Sequence, residues 1–212
     1  LFAHVKENTF YHMAVILSAT NSLNWFLKNF LNDSPLDKIN ELVEKSRPGS
    51  NGLIFLPYLN GERTPHKNPN ARGVFFGLSS FHNKSDMLRS IYEGVVYALR
   101  EGGECIKELG NNFESIKVVG GGSRSDVWCQ MIADNFKLTV NRLKVDEGAA
   151  YGSARLAGNY VNFNTDEWIE ITDTFNPTES NFNKYDSLFV EYKNLYNSLK
   201  NDFDVISKYQ RS

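Results

Sequence analysis

Three consecutive glycines, Gly120 to Gly122, separate a short apolar segment from a helical pattern. Residues 116–119 have the composition of a strand, and residues 125–136 have the periodicity of a helix. Glycines let a backbone approach a ligand closely, and the amides at the start of a helix offer donors and positive potential. The turn therefore suits a nucleotide. Taken alone, it is better explained as a tight connection between a strand and a helix.

The residues after the glycines match neither common phosphate-binding fingerprint. No Gly-Lys-Ser/Thr follows, so the turn is not a P-loop, and Ser125 stands where the dinucleotide pattern needs its third glycine. A nucleotide site therefore needs support from other segments of the chain.

Apolar residues elsewhere predict helices that alternate with strands, which indicates an α/β layered domain rich in helix. The predicted helices cover residues 11–30, 35–47, 86–110, 125–136 and 149–158 and a C-terminal segment with a Tyr/Leu stripe at 185–199. The predicted strands cover residues 53–59, 116–119 and 138–141, with a further apolar segment at 73–78. Small residues at 149–158 would let another backbone come close, and residues 160–183 have few aliphatic side chains and are expected at the surface.

The composition excludes several classes of partner and location. The 212 residues suffice for one ordinary domain, and 23 basic against 25 acidic side chains give no positive excess for nucleic acid or an anionic membrane. There is no apolar run of roughly 20 residues and no signal peptide, and the cysteines Cys105 and Cys129 are too few for a disulfide framework. We therefore expect a cytoplasmic protein with buried, reduced thiols. Leu1 stands where a native start has Met, so we expect the tail of a longer polypeptide.

Five segments, in this order, resemble the C-terminal domain of the FGGY carbohydrate kinases, and the xylulose kinases most closely. Any one of them alone would be weak evidence. They are HMAVILSATNSLNW at 12–25, FLPYLNGERTPHKNPNARGVFFGL at 55–78, the second family signature at 73–93, VVGGGSRSDVWCQMIAD at 118–134 and EGAAYGSARLAG at 147–158.

This resemblance implies a ribonuclease H-like fold of the superfamily that contains sugar kinases, hexokinase, heat-shock proteins and actin. Residues 1–212 would form the nucleotide-binding domain, without the N-terminal sugar-binding domain that would be its partner. The site residues carried over lie beside the adenine and α-phosphate of ATP or ADP, and are Gly120, Gly121, Gly122 and Ser123, with Ser125, Asp126 and Gln130 as weaker candidates near the base.

By the same resemblance, the whole enzyme would use Mg²⁺ to move the γ-phosphoryl group of ATP to a ketose hydroxyl, with D-xylulose as the favoured substrate. The general-base Asp is expected in the N-terminal domain, and a second, Gly-Thr-rich phosphate loop is expected just before Leu1. No catalytic or metal-binding residue is assigned within this chain, and the isolated chain is expected to bind nucleotide weakly and to phosphorylate no sugar.

The irregular segment 60–72 holds two prolines and five ionisable side chains, and two interpretations of it stay open. Glu62 and Arg63 either order the phosphate end of the cleft or bridge the two domains, or they form a structural network that fixes the loop. The four histidines have no ligand spacing, so we expect His66 to make a loop hydrogen bond. Glu93, within a long helix, is expected to support the fold, and Trp128 is expected in the core rather than stacked on adenine.

Alternative functions also remain open at this stage. The chain could belong to a kinase for gluconate, ribulose, fuculose or glycerol, or it could be a non-catalytic nucleotide-binding or scaffold domain. An actin-like or heat-shock-type ATPase module should lack the GERTPH sequence found at 61–66. The C-terminal stripe is expected to pack within the domain or to form a homodimer contact.

Overall fold

The N-terminal segment folds back over the domain before its first helix begins. The structure, a computed structural model, describes residues 1–32, 35–145 and 148–210, and only the backbone of Leu36 and Asp166. Strands β1 (Phe2–Ala3) and β2 (Phe10–Tyr11) form an antiparallel hairpin. Helix α1 (Ala19–Phe30) follows, and helix α2 (Leu36–Glu44) comes next.

The first helix is shorter than its apolar pattern predicts, and the prediction for residues 11–18 is wrong. Val15 instead pairs with Thr64, whose backbone amide donates to the Val15 carbonyl at 3.1 Å and whose hydroxyl accepts from the Val15 amide at 3.0 Å. These long-range hydrogen bonds replace the helical ones. Pro35, predicted at the first helical position, precedes α2 as its extended N-cap, and the neighbouring Asp33 and Ser34 lie outside the described residues.

A long central helix packs on a short buried hairpin. Strands β3 (Ile54–Leu56) and β4 (Val74–Phe76) pair antiparallel, and helix α3 (Lys84–Glu108) crosses them. A Cβ at Gly94 of α3 would lie 2.2 Å from the carbonyl oxygen of Phe55, so this close approach of helix and strand requires glycine. Helix α3 confirms the predicted six-turn helix, and Gly110, with φ +87, follows its end as expected.

The glycine turn belongs to a three-stranded sheet. Strand β5 (Ser115–Val118), helix α4 (Asp126–Phe136) and strand β6 (Thr139–Leu143) form a parallel unit, and helix α5 (Gly148–Tyr160) follows. Strand β7 (Ile171–Phe175) then pairs antiparallel with β6, giving the order β5-β6-β7. Strand β7 lies within the segment predicted as surface without regular structure. Four of its five residues are exposed, so it lacks the apolar pattern that marks a strand.

Helix α6 (Phe182–Tyr209) closes the domain against the hairpin and α3. Its stripe is confirmed as packing, because Tyr185, Phe189, Tyr192 and Leu195 are buried in a core cluster with residues of β3 and α3. A second cluster joins α1, α2, β3, α3 and α4. Within the described residues, no helix is both long enough and apolar enough to cross a bilayer.

Candidate functional site

The glycine turn keeps its shape through its own short hydrogen bonds. Gly120 has φ +85, a backbone conformation that residues other than glycine rarely adopt. A single 3-10 turn then covers Gly121–Arg124. The Ser123 amide and hydroxyl both donate to the Gly120 carbonyl, at 3.0 and 2.7 Å. Ser123 is buried, so its side chain stabilises the turn while the glycines form the surface.

This turn borders the mouth of a cavity of about 770 Å³. Gly120 to Ser123 are among its lining residues, together with Ala19 and Thr20 of α1. A Cβ at Gly121 would meet no atom within 4 Å, so the backbone there faces open space. Thr20 could not be selected from its sequence pattern, because only the fold places α1 beside the same cavity.

Trp128 lines the same cavity from α4. Its ring is 6% exposed and lies 5.0 Å from that of Tyr92, which confirms that it is a core residue. Its indole Nε1 is buried and has no hydrogen-bond partner among the described residues. Because Nε1 is enclosed by the protein, Trp128 contributes its ring to the cavity wall rather than this donor.

The side chains of the weaker candidates, Ser125, Asp126 and Gln130, bond to other residues of the protein. Ser125 is the N-cap of α4 and its hydroxyl donates to Asn40 Oδ1 at 2.7 Å. Gln130 donates to Asp134 Oδ1 at 2.8 Å and to the Asn176 carbonyl at 2.7 Å. Asp126, which pairs with Arg142, lines a separate cavity of about 290 Å³ together with Gln130. The structure therefore groups Gly120 to Ser123 around one cavity and places Asp126 and Gln130 on another.

In segment 60–72, Glu62 and Arg63 differ in their surroundings. Glu62 is 2% exposed, its Oε1 accepts from the Arg63 amide at 2.6 Å, and burial raises the pKa of its carboxyl group. The Arg63 side chain is exposed, and it forms no ion pair within the part of the chain that the structure describes. Glu62 therefore fixes the loop through the backbone, which leaves the Arg63 guanidinium available at the surface.

His66 makes the loop contacts expected of it. Its Nε2 lies 3.3 Å from both the Tyr58 hydroxyl and Glu101 Oε2, and its ring stacks on Tyr196 at 3.4 Å. The Tyr58 hydroxyl also lies 2.7 Å from that of Tyr192, and burial raises the pKa of Tyr58. The sequence did not indicate these tyrosines, because their partners are far away along the chain.

Glu93 supports the fold, as expected. Its carboxylate accepts from the Gly49 amide at 2.8 Å, from the Ser50 hydroxyl at 2.7 Å and from Arg89 Nε at 2.8 Å. These bonds satisfy a carboxylate that is 1% exposed, and they join α3 to the segment before β3. Glu93 therefore has no free capacity for a ligand.

The described residues include no group of three His, Cys, Asp or Glu side chains that could hold a metal ion. Both cysteines are free thiols, and Cys129 is buried as predicted while Cys105 is half-buried. Glu147, which opens the predicted Ala/Gly helix, lies outside the described residues. The chemistry that these residues offer is therefore an open glycine surface beside a cavity.

Comparison with known proteins identifies the family of this chain. Residues 2–159 match the model of the FGGY family of carbohydrate kinases, C-terminal domain. The chain belongs to this family. As an FGGY carbohydrate kinase domain it is no actin-like or heat-shock-type module, and its fold is the ribonuclease H-like fold of sugar kinases.

Among characterised relatives, this FGGY domain is 38% identical over 187 residues to the xylulose kinase of Staphylococcus epidermidis, covering 85% of this chain and 38% of that protein. It is 37% identical over 145 residues to the gluconokinase of Bacillus subtilis, covering 68% of this chain and 28% of that protein. The chain thus spans well under half the length of these relatives.

Solved structures show the same relationship. The ligand-bound xylulose kinase from Lactobacillus acidophilus superposes with a TM-score of 0.83 at 26% identity, over 90% of this chain and 40% of that one. A gluconate kinase from the same organism matches with the same TM-score and identity. The fold is therefore common to kinases with different sugars.

Proposed function

We propose that this chain is the nucleotide-binding part of an ATP-dependent kinase that converts D-xylulose to D-xylulose 5-phosphate. The observation that supports it best is the glycine turn, where a Cβ at Gly121 would meet no atom within 4 Å beside a roomy cavity. Gluconate is the second candidate substrate, because the gluconokinase of Bacillus subtilis is nearly as similar as the xylulose kinase.

The open end of the cavity would hold ATP or ADP. Gly120 to Ser123 would lie against the adenine and α-phosphate, and Ala19 and Thr20 would form the facing wall. Ser125, Asp126 and Gln130 stay weaker candidates, because their side chains already bond within the protein.

Phosphoryl transfer needs catalytic groups besides the residues that line this cavity. The bond between the γ-phosphorus and its bridging oxygen breaks, a bond to the sugar hydroxyl forms, and the hydroxyl proton passes to a base. Bound Mg²⁺ neutralises charge on the phosphates. We assign the base, the magnesium ligands and most sugar contacts to an N-terminal domain that pairs with this one. Arg63, exposed beside the fixed Glu62, would face the phosphates or that domain.

The isolated chain should bind ADP weakly and transfer no phosphate. A coupled assay of the 212-residue chain with MgATP and D-xylulose or gluconate measures this directly. Turnover of roughly 1 to 100 per second, as ordinary kinases show, would contradict the assignment of the catalytic groups to another domain.

The glycine turn itself is tested by Gly121→Val. Because Gly121 has ordinary backbone angles and an open Cβ position, the variant should fold normally and lose measurable ADP binding by calorimetry. Gly152→Val is the matched control, because a Cβ at Gly152 on α5 also meets no atom within 4 Å. Unchanged ADP affinity in Gly121→Val would overturn the site.

A further inference from the structure

Ser125 connects the glycine turn to α4, and its hydrogen bonds reach both. Its amide donates to the Gly122 carbonyl at 3.3 Å, which closes the 3-10 turn, and its carbonyl accepts from the Cys129 amide at 3.0 Å. Its hydroxyl accepts from the Trp128 amide at 3.3 Å, as the side chain of an N-cap residue does. The placement of this buried residue therefore determines how the turn is oriented on the helix.

The Ser125 hydroxyl also contacts a residue far away along the chain. It donates to Asn40 Oδ1 on α2 at 2.7 Å, across 85 positions of the sequence. A serine hydroxyl has one proton, and since Asn40 accepts it, the oxygen lone pairs of Ser125 are left to accept from the Trp128 amide. Asn40 therefore fixes the orientation in which Ser125 caps α4.

Helix α2 is held against α4 without this hydrogen bond. Ile39 and Val43 of α2 are fully buried, and they pack in one core cluster with Trp128 and Met131 of α4. Asn40 is half-buried between them in the sequence. Because burial of apolar side chains is what joins the two helices, removal of the Asn40 acceptor should leave both helices in place and release only the serine hydroxyl.

The glycine turn gains more from such a contact than an ordinary turn would. Glycine has the largest backbone freedom of all residues, and a Cβ at Gly120 or Gly121 would meet no atom within 4 Å. A ligand that binds a loosely held segment has to order it, and that ordering lowers the affinity. A contact that fixes the end of the turn beforehand therefore increases affinity without touching the ligand.

We propose that Asn40 is a positioning residue of the nucleotide site, which holds the glycine turn in place through Ser125. Asn40 lines neither the cavity of about 770 Å³ nor that of about 290 Å³, so it acts through Ser125 and not on the ligand. It also lies outside all five segments that carry the family resemblance. The proposal rests on the proposed function, because only a nucleotide at the turn gives the position of Ser125 a role in binding.

Hydrogen exchange without nucleotide tests whether Asn40 supports the turn. Asn40→Leu removes the acceptor and keeps a side chain of similar size. The matched control is Asn197→Leu on α6, because the Asn197 side chain donates to the Lys193 carbonyl within its own helix. The Ser123 and Ser125 amides, which donate within the turn, should exchange roughly threefold to tenfold faster in Asn40→Leu, as expected for one lost hydrogen bond.

The location of the faster exchange separates positioning from stability. Amides in the middle of α3 should exchange in Asn40→Leu as they do in the wild type, and all amides should do so in Asn197→Leu. Unchanged exchange of the Ser123 and Ser125 amides would overturn the proposal. An equal increase throughout α3 would also overturn it, because that is the result of a loss of overall stability.

Asn40→Asp tests whether the oxygen acceptor is the feature that matters. Aspartate keeps an oxygen where asparagine has Oδ1, so the Ser125 hydroxyl can still donate to it. The turn amides should therefore exchange as slowly as in the wild type. Exchange as fast as in Asn40→Leu would contradict the role of Asn40 as an acceptor for Ser125.

Calorimetric titration with ADP, well below the melting temperature, tests the effect on binding. Asn40→Leu should weaken ADP binding roughly threefold to tenfold, and Asn197→Leu should leave it unchanged. All three proteins are folded under these conditions, so a purely structural role of Asn40 would not change the affinity. If the wild type binds ADP and Asn40→Leu binds it equally well, the proposal is wrong. Absence of binding by the wild type would instead contradict the proposed function, and hydrogen exchange would still decide whether Asn40 holds the turn.

Discussion

Two irregular segments of this domain differ in how the rest of the fold holds them. Segment 60–72 is hydrogen-bonded to α6. Asn68 donates to the Tyr196 hydroxyl at 3.2 Å, and Asn70 donates to Asp204 Oδ1 at 2.8 Å. The turn at 120–123 is held by local hydrogen bonds, including one from Cys129 Sγ to the Ser123 carbonyl at 3.3 Å. It borders a cavity, and a Cβ at Gly120 or Gly121 would meet no atom within 4 Å. The first segment is held by the fold, and the second leaves backbone surface free for a ligand.

We expect substitutions in the two segments to affect different properties, stability in one and ligand binding in the other. Polar groups that are already bonded inside the protein contribute to folding and have little capacity left for a ligand. Substitutions in segment 60–72 should therefore change the free energy of unfolding, and substitutions in the turn at 120–123 should change the affinity for nucleotide. Each of the following variants tests part of this expectation.

The largest expected effect on stability is that of Tyr192→Ala. Tyr192 is fully buried and its hydroxyl lies 2.7 Å from that of Tyr58, so its removal leaves a large cavity and takes away one of the two partners of the Tyr58 hydroxyl. The free energy of unfolding should fall by about 3 to 5 kcal/mol in urea denaturation. Tyr160→Ala, at an 89% exposed position, should change it by less than about 0.5 kcal/mol. A comparable loss in both variants would contradict the idea that α6 holds the loop.

A smaller effect is expected at the start of α4, behind the glycine turn. Ser125→Ala removes the helix N-cap and the hydrogen bond to Asn40, and should cost about 1 to 2 kcal/mol by the same measurement. Ser153→Ala on the exposed side of α5 is the control and should be nearly neutral. Titration of Ser125→Ala with ADP then tests the predicted contact with the base. An unchanged stability would show that the cap does not support the turn.

The smallest effect is a change in pH dependence, expected from Glu62→Gln. Burial raises the pKa of Glu62 in the folded protein, so between its ordinary and its raised pKa the folded state binds more protons than the unfolded state. Stability attributable to this group is therefore present at low pH and decreases as pH rises through that interval. Urea denaturation from pH 4 to pH 8 should show a shallower decrease for Glu62→Gln than for the wild type.

The exposed Glu191 provides the comparison for this pH effect. Glu191→Gln should keep the slope of the wild type, because Glu191 is exposed and lies outside segment 60–72. His66 and Glu101 interact electrostatically with Glu62, and both are present in all three proteins. Identical slopes in the three proteins would mean that Glu62 titrates as an exposed group does.

Much of the fold follows from local signals. Helix α3 begins at the capping box of Asn83 and Asp86 and ends before Gly110, so its length could be predicted from its own residues. Strand β5, the glycine turn and α4 follow from adjacent residues in the same way. In contrast, residues 12–18 have a helical pattern, but Val15 pairs with Thr64. Strand β7 has no apolar pattern, because four of its five residues are exposed where it pairs with β6.

The candidate site divides along the same line. The sequence by itself determined the family, the glycine turn and the order of helices and strands, because caps, turns and apolar periodicity depend on neighbouring residues. Only the tertiary structure decided that Thr20 lines the same cavity as the turn and that Asp126 and Gln130 line a different cavity. Those features depend on contacts between residues far apart along the chain, which no local pattern specifies.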